Sequence, residues 1–404
     1  MGAGQVAAVG AAVWTFAMAA LAGDAAAQGT ARSLDLDTSV RSLGRGGASA
    51  AVFWDGGSEW VNPALLGYRR GLSFTWDRHE LVPDLPGGVV LSSRRVSLGL
   101  WGVGFSTAGQ PVDVLGGTDL DYGTMTITDL YGFPILTPHS FEHTRAWSLG
   151  VSLASALDHA ATALGRRSGF ADWADVAVGA SRKRVAVAFY PPETFSANAA
   201  DLGLLVRVSP LDTRRWAGGD EGVTHRLDLA YGHAVLNAND ATLDFGLGGP
   251  IPLSRLKREG GAVGWTMRPG PADLRTNALL RRIAGPDRAL LRVVAAYDRE
   301  HVSAGDDETA SYDVDRWGVE AAFGRVAAVR TGHVRDEEGG IDGYSWGFGL
   351  GAPLGPLAEV AYDFSSAPQA PGQDRRHAHA VTLRLDVLAT LESWRKEGAR
   401  ADAN

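Results

Sequence analysis

The sequence predicts an all-β fold: a transmembrane antiparallel up-and-down β-barrel of about 14 strands. Three observations lead there. Beyond the first 27 residues no stretch approaches 18 uninterrupted apolar residues, so spanning helices are not expected. In their place the chain carries runs of eight to twelve residues in which apolar side chains alternate with polar or small ones, the period of a two-faced strand. In the C-terminal half, long charged links alternate with short ones between these runs. That is the order of a membrane barrel, with short periplasmic turns and longer polar outer loops. In a secreted β-sandwich, the alternative reading, Greek-key crossings would break it.

Taken in chain order, the first element is an export segment. Val6 to Gly23 is apolar except for Thr15, and it leads into Ala25-Ala26-Ala27 before Gln28. This A-x-A-type boundary predicts a cleaved signal peptide over residues 1–27. The run is at the short edge for a retained membrane anchor.

The clearest strand is 377–388, in which Val381, Leu383, Leu385 and Val387 share one face and Thr382, Arg384 and Asp386 the other. Leu227, Leu229 and Tyr231 alternate in the same way with Arg226 and Asp228, and Trp317, Val319 and Phe323 with Arg316 and Glu320. Candidate strands fall at 71–77, 93–106, 119–128, 143–155, 173–180, 183–190, 200–209, 223–235, 259–268, 289–300, 312–322, 325–334, 342–350, 356–364 and 377–388. Bacterial single-chain barrels have even strand numbers, so one candidate is superfluous; 119–128 or 173–180, with the poorest turn signals, is the one to drop.

Composition removes several functions. The 404 residues contain no Cys, which excludes disulfide frameworks, thiolate metal sites and a Cys nucleophile. A net charge of -8 disfavours nucleic acid as a partner. The ten His are scattered without HExxH, and only His377 and His379 share a strand face, so no metal ligand is assigned. No Ser-His-Asp order with a nucleophile-elbow sequence G-x-S-x-G is read in the chain. The chain is therefore expected to have no catalytic residue, to need no cofactor and not to be an enzyme. The 52 glycines are nearly twice the usual share of about 7% and have no collagen period. They gather in two places, residues 44–47 with 56–57 and the strand face at 343–351.

Residues 39–67, SVRSLGRGGASAAVFWDGGSEWVNPALLG, break the alternation. Gly44, Gly46 and Gly47 before Ala48-Ser49-Ala50-Ala51 make a slim backbone suited to a confined space. Asn62 suits an N-cap, Pro63 the first helical position and Gly67 a left-handed stop, which together predict a single helical turn.

Ser42-Leu43-Gly44-Arg45-Gly46-Gly47-Ala48, then Asp55, then Asn62-Pro63-Ala64-Leu65-Leu66, resembles the N-terminal signature of the FadL-like outer-membrane proteins. That superfamily includes the long-chain fatty acid transporters and the PorV/PorQ proteins linked to type IX secretion. Pro250-Ile251-Pro252-Leu253 before Gly260 to Trp265 is similar to the family's Pro-rich loop and Gly-rich strand, and the run from Gly343 to Phe364 to its penultimate hairpin. The resemblance implies an N-terminal plug (hatch) segment in the lumen over residues 28–70, an outer-membrane β-barrel over 71–388 and a periplasmic tail over 389–404. It places Gly44, Gly46, Gly47, Asp55, Asn62, Pro63 and Ala64 in the hatch.

In a barrel, the inward-facing Arg226, Asp228, Arg292, Asp298, Arg316, Glu320, Arg384 and Asp386 line the lumen. They must pair with one another, with water or with the plug, because an unpaired charge in a confined site is costly. Two departures from the family are the chain beyond Leu388, where such barrels commonly end on an aromatic, and the short segment GTARSLDLDTSV before the signature. The function this implies is passive transport of small hydrophobic molecules, gated by the hatch, across the bacterial outer membrane; the rival is a PorV/PorQ-like dock or scaffold for secreted proteins. Expected partners are outer-membrane lipid, a small hydrophobic ligand or secretion-system proteins. For the transport reading, Leu130, Tyr131, Phe133, Ile135 and Leu136 are the candidates for an apolar groove.

Overall fold

In a computed structural model of the chain, residues 31–54, 57–83, 88–108, 117–124, 127–128, 133–164, 169–190, 193–213, 222–245, 249–284, 289–304, 307–354 and 358–386 are described. The export segment, Asp55, Leu130, Tyr131 and the C-terminal tail lie outside them.

Every wall element is a strand, with period-two patterning clearest toward the C-terminus: β1 (Gly71–Val82), β2 (Val89–Leu100), β3 (Val103–Ala108 and Gly117–Thr124), β4 (His139–Ser152), β5 (Ala174–Tyr190), β6 (Glu193–Asp212), β7 (Thr224–Leu236), β8 (Ser254–Arg268), β9 (Leu291–Ala304), β10 (Asp307–Phe323), β11 (Ala327–Asp336), β12 (Ile341–Pro353), β13 (Ala358–Ala367) and β14 (Arg376–Leu385). Each pairs antiparallel with its chain neighbours, and β1 pairs with both β2 and β14, which closes the barrel. The two pieces of β3 occupy one place between β2 and β4, so the sheet's fifteen segments make fourteen wall positions. Beside the wall are two small hairpins, Ile127–Thr128 with Pro134–Leu136 and Thr242–Asp244 with Pro250–Pro252.

The faces are inverted relative to a soluble sandwich. Phe74, Leu98, Phe105, Leu149, Leu204, Val263, Phe323 and Leu383 are exposed on the outside, while Asp77, Lys183, Arg226, Asp298 and Arg330 are buried inside. This is the burial pattern of a wall with lipid as its outer solvent. No helix among the described residues is long and apolar enough to cross a membrane.

Five expectations need correction. The candidates 173–180 and 183–190 are one strand, β5, and of the candidate 119–128 residues 119–124 belong to the second piece of β3 while Ile127–Thr128 lies in a separate hairpin. The candidate 93–106 hides a reversal at Trp101-Gly102, where both residues have positive φ. The alternation of long and short links holds only near the C-terminus. At the rim where β1 begins and β14 ends, the connections 153–173 and 269–290 are the longest, and each folds two helices: α1 (Leu153–Ala163) with α2 (Phe170–Trp173), and α3 (Pro271–Thr276) with α4 (Ala278–Ala284). The charged stretch 302–311, read as a long loop, is mostly the extended ends of β9 and β10.

Candidate functional site: the lumen segment and its wall contacts

The described residues of 31–70 lie against the inner faces of strands on every side of the barrel, and most are buried. Asn62 accepts a hydrogen bond from the Ala64 amide (3.1 Å), and Pro63 opens the turn Pro63–Tyr68, which is a 3-10 helix. Gly67, expected to be a left-handed stop, lies inside this turn and has no positive φ. Its glycine is required for space, since a Cβ there would sit 2.4 Å from the Ser152 amide nitrogen.

The wall makes room for this turn with glycine. Gly71 pairs with Gly99, Gly99 with Gly104, Gly104 with Gly150, Gly150 with Gly179, and Gly179 with Gly203, a continuous rung across β1 to β6. A Cβ at Gly104 would fall 1.9 Å from the Leu66 carbonyl oxygen, one at Gly179 2.3 Å from the Pro63 carbonyl carbon, and one at Gly203 2.2 Å from the Asn62 side chain. The glycine surplus thus reflects a groove running across the inner wall as well as the two stretches named from sequence. On the far side Gly318 and Gly332, themselves partners, clear the backbone of Arg45. Gly46 (φ 71°) lies against the backbone of His333, and Gly47 (φ 85°) against the Arg316 side chain.

Charge holds the segment in place. The Asp298 carboxylate accepts from the amides of Ser49 (2.7 Å) and Ala50 (2.8 Å). Arg45, fully buried, donates to Glu320 (2.9 Å), which also accepts from Arg330 (2.6 Å). Arg41 donates to Asp363 (2.9 Å), and the Ser33 amide to Glu142 (2.8 Å). Glu59 pairs with Arg69 (3.0 Å), and Arg95 donates to the Gly57 carbonyl (2.7 Å) and to Asp77 (2.9 Å). Burial alone would raise the Glu59 carboxyl, but Arg69 and Arg95 outweigh it and hold it below the usual range.

The lumen charges named from sequence divide accordingly. Asp298, Glu320 and Arg316 meet the segment directly; Arg316 also donates to Glu300 (3.0 Å). Arg226 and Asp228 pair with each other (2.9 Å), and Arg384 with Glu359 (3.3 Å). Arg292 lies 6.0 Å from the Trp54 ring, and Asp386 is half-buried at the end of β14. Sequence reasoning missed Arg41, Arg45, Glu59, Arg95, Glu142, Lys183, Arg330 and Asp363. The inward phase of their strands was the available signal for Arg95, Arg330 and Asp363; Lys183 lies in a run with the composition of a turn, and Glu142 in a strand that alternates weakly. A cavity of about 140 Å³ between the segment and β10 to β14 is lined by Arg41, Trp54, Glu320, Arg330, Asp363 and Arg384, so it is a charged space.

One further correction concerns catalysis. Gly343-Tyr344-Ser345-Trp346-Gly347 does spell G-x-S-x-G, but it lies within the continuous strand β12, paired with β11, and not at the strand-to-helix turn a nucleophile elbow requires. Among the described residues no group of three His, Asp or Glu is arranged to hold a metal. His377 stacks on Phe364, and His379 meets the Tyr362 hydroxyl at 2.7 Å. Of the residues proposed for an apolar groove, Phe133 and Ile135 are exposed.

Burial is the leading influence on Asp35, which it pushes up to about 6, against the opposing pull of Arg32 (3.6 Å) and the Ser254 hydroxyl (2.9 Å). A carboxyl raised in the folded state contributes stability below its unfolded value near 4, and that contribution is lost as pH rises through 6. Residues 31–38 are therefore expected to exchange amide hydrogens faster at pH 7.5 than at pH 4.5 once intrinsic rates are removed. Asp35→Asn should abolish the difference; an unchanged pH dependence in that variant would refute the assignment.

No protein-family model matches the sequence, and no curated protein does. Among solved structures the chain is similar to a deltaS2S3 mutant of TodX, a monoaromatic hydrocarbon channel, the protein also described as the Pseudomonas putida toluene transporter, at 10% identity over 87% of this chain and 100% of that one, TM-score 0.45. It is similar to the Ralstonia pickettii toluene transporter TbuX at 13% identity over 86% and 98%, TM-score 0.40. It is also similar to a Pseudomonas aeruginosa FadL homologue at 10% identity over 86% and 98%, TM-score 0.40. The barrel assignment itself rests on the strand ladder described above.

Proposed function

We propose that this protein is a FadL-like outer-membrane barrel that passes small hydrophobic molecules without nucleotide or metal, with residues 31–70 acting as a hatch. The observation that carries the reading is the contact between that segment and an interruption in the wall. On β2, Arg95 pairs with Ala108 and the adjacent Arg94 pairs with Gly117, so neighbouring rungs take their partners from the two separate pieces of β3, and the strand is interrupted there. Trp60 packs with Ala108 and Ala146 at that point, and Lys183 fixes it by lying 4.0 Å over the ring and donating to its carbonyl (3.3 Å).

An axial route past the hatch is lined by buried ion pairs and suits water and ions. A sideways route at the interruption would reach the outer face at the upper edge of its apolar band, beside outward Phe105, Leu149 and Trp147, where an apolar solute gains by leaving water. Moving Trp60 would change the packing at the interruption, which gives the hatch a means of gating. The docking alternative needs a broad outer rim, and β9 and β10, joined through residues 305–306 alone, offer little of one.

The reading is tested by uptake of labelled fatty acids and aromatic hydrocarbons into liposomes, with and without deletion of residues 39–67. Transport gated by the hatch predicts a changed flux. No change would sink it.

A further inference from the structure

On each strand of one side of the barrel, the outward residues are apolar from the terminal rim up to a definite point. On β5 they run Val176, Val178, Ala180, then Arg182 and Arg184; on β4 Val151, Leu149, Trp147, then Arg145; on β2 Leu98, Val96, then Arg94. The register brings these points together. Arg145 stands opposite Arg184, Trp147 opposite Arg182, and Trp76 of β1 opposite Arg94.

Like charges directly opposite on a ladder, with Cβ atoms about 5 Å apart, are destabilising unless something else neutralises them. Arg94, Arg182 and Arg184 have no ion pair or side-chain hydrogen bond with any described residue. The outward carboxylates above them on β3 are engaged elsewhere, Asp121 with His139 (3.1 Å) and Asp119 with His143. The inner wall of the same strands contrasts sharply, since Lys183, between the two arginines, is paired with Asp201 (2.8 Å).

We propose that Arg94, Arg145, Arg182 and Arg184 form a binding site for the phosphates of an anionic membrane lipid. The occupant follows from position and charge. The cluster continues the lipid-facing surface at the level where it turns polar, and exposed Trp76 and Trp147 mark that level as tryptophans do at a membrane interface. The guanidinium fork matches phosphate in geometry as well as charge. From β2 to β5 is three strand steps, roughly 14 Å, which suits a headgroup with more than one phosphate better than a single phosphodiester. The lipid A class of phosphorylated glycolipid has that chemistry. The site stands independently of whether the barrel transports hydrophobes.

The test uses the full-length protein, purified in detergent and delipidated, with lipid A, phosphatidylglycerol, phosphatidylcholine or inorganic phosphate added. Wild type should retain lipid A through washing and melt at a higher temperature in its presence. The Arg182→Gln/Arg184→Gln variant should bind it roughly thirtyfold more weakly. Arg299→Gln, which alters an exposed arginine already paired with Asp313 on another part of the wall, should bind as wild type does. Both altered sites are exposed, and the heat-dependent gel shift of a folded barrel verifies each variant. Equal lipid A retention by the double variant would overturn the site, as would an equal melting shift with inorganic phosphate. Equal binding of phosphatidylglycerol would overturn the preference for several phosphates.

Discussion

Gly179→Val is expected to cripple assembly of the barrel, while Gly261→Val leaves it nearly unchanged. Both glycines lie in the middle of wall strands, and valine suits a strand at either position. At Gly179 the new Cβ would sit 2.3 Å from the Pro63 carbonyl carbon and 2.4 Å from the Ala64 amide nitrogen. Those are backbone atoms of a turn packed against the glycine rung from β1 to β6, and they have nowhere to move. At Gly261 the nearest atom is 3.9 Å away. Overpacking a core that can adjust costs about 1–3 kcal/mol, and a clash with fixed backbone belongs at or beyond the top of that range. The comparison is read as the fraction of protein that migrates as a folded, heat-modifiable band and as melting temperature in detergent. Equal behaviour of the two variants would mean that the glycine rung is not shaped by the segment lying on it.

Asp298→Ala is expected to loosen the lumen segment without removing it. The carboxylate is completely buried and holds two consecutive backbone amides of the lumen segment, those of Ser49 and Ala50. Alanine leaves both amides without their acceptor and takes a negative charge away from buried Arg258 and half-buried Arg316. Breaking a buried charged contact from one side costs about 3–5 kcal/mol. Because the contact joins the segment to β9, the loss should appear as faster amide exchange over residues 47–52 and as easier proteolysis there, with the wall strands unaffected. Unchanged exchange in that stretch would show that Asp298 does not hold the segment.

How far the sequence foretells this structure depends on how each residue signals its surroundings. The strands from β7 to β14 are legible in their middles because apolar residues alternate with polar or small ones there, as in Leu227, Leu229 and Tyr231 against Arg226 and Asp228; their polar ends, such as 302–304 and 307–311, are not. β5 is illegible as one strand because Ser181-Arg182-Lys183-Arg184 has the composition of a turn. In the barrel Lys183 points inward to Asp201 while the two arginines point outward, a two-faced pattern in which both faces are charged. The reversal at Trp101-Gly102 is concealed because tryptophan is a residue that turns seldom use at positive φ.

In the lumen segment, the Asn62 cap and the Pro63 start follow from local chemistry and could be read directly. The role of Gly67 could not, since its neighbour Ser152 is far away in the chain. The pairing of Arg45 with Glu320, and of Asp298 with Ser49 and Ala50, is equally non-local. Period two tells which charges face inward, and only closure of the wall decides which of them meet.

The central claim is that the barrel carries apolar solutes while the hatch closes its axis. It is tested most directly by measuring ion conductance in planar bilayers and uptake of a labelled aromatic hydrocarbon into liposomes with one preparation of the intact protein. The account predicts hydrocarbon uptake above that of protein-free liposomes together with no steady ion conductance. Steady ohmic conductance without hydrocarbon uptake would contradict it and would make the protein an aqueous pore.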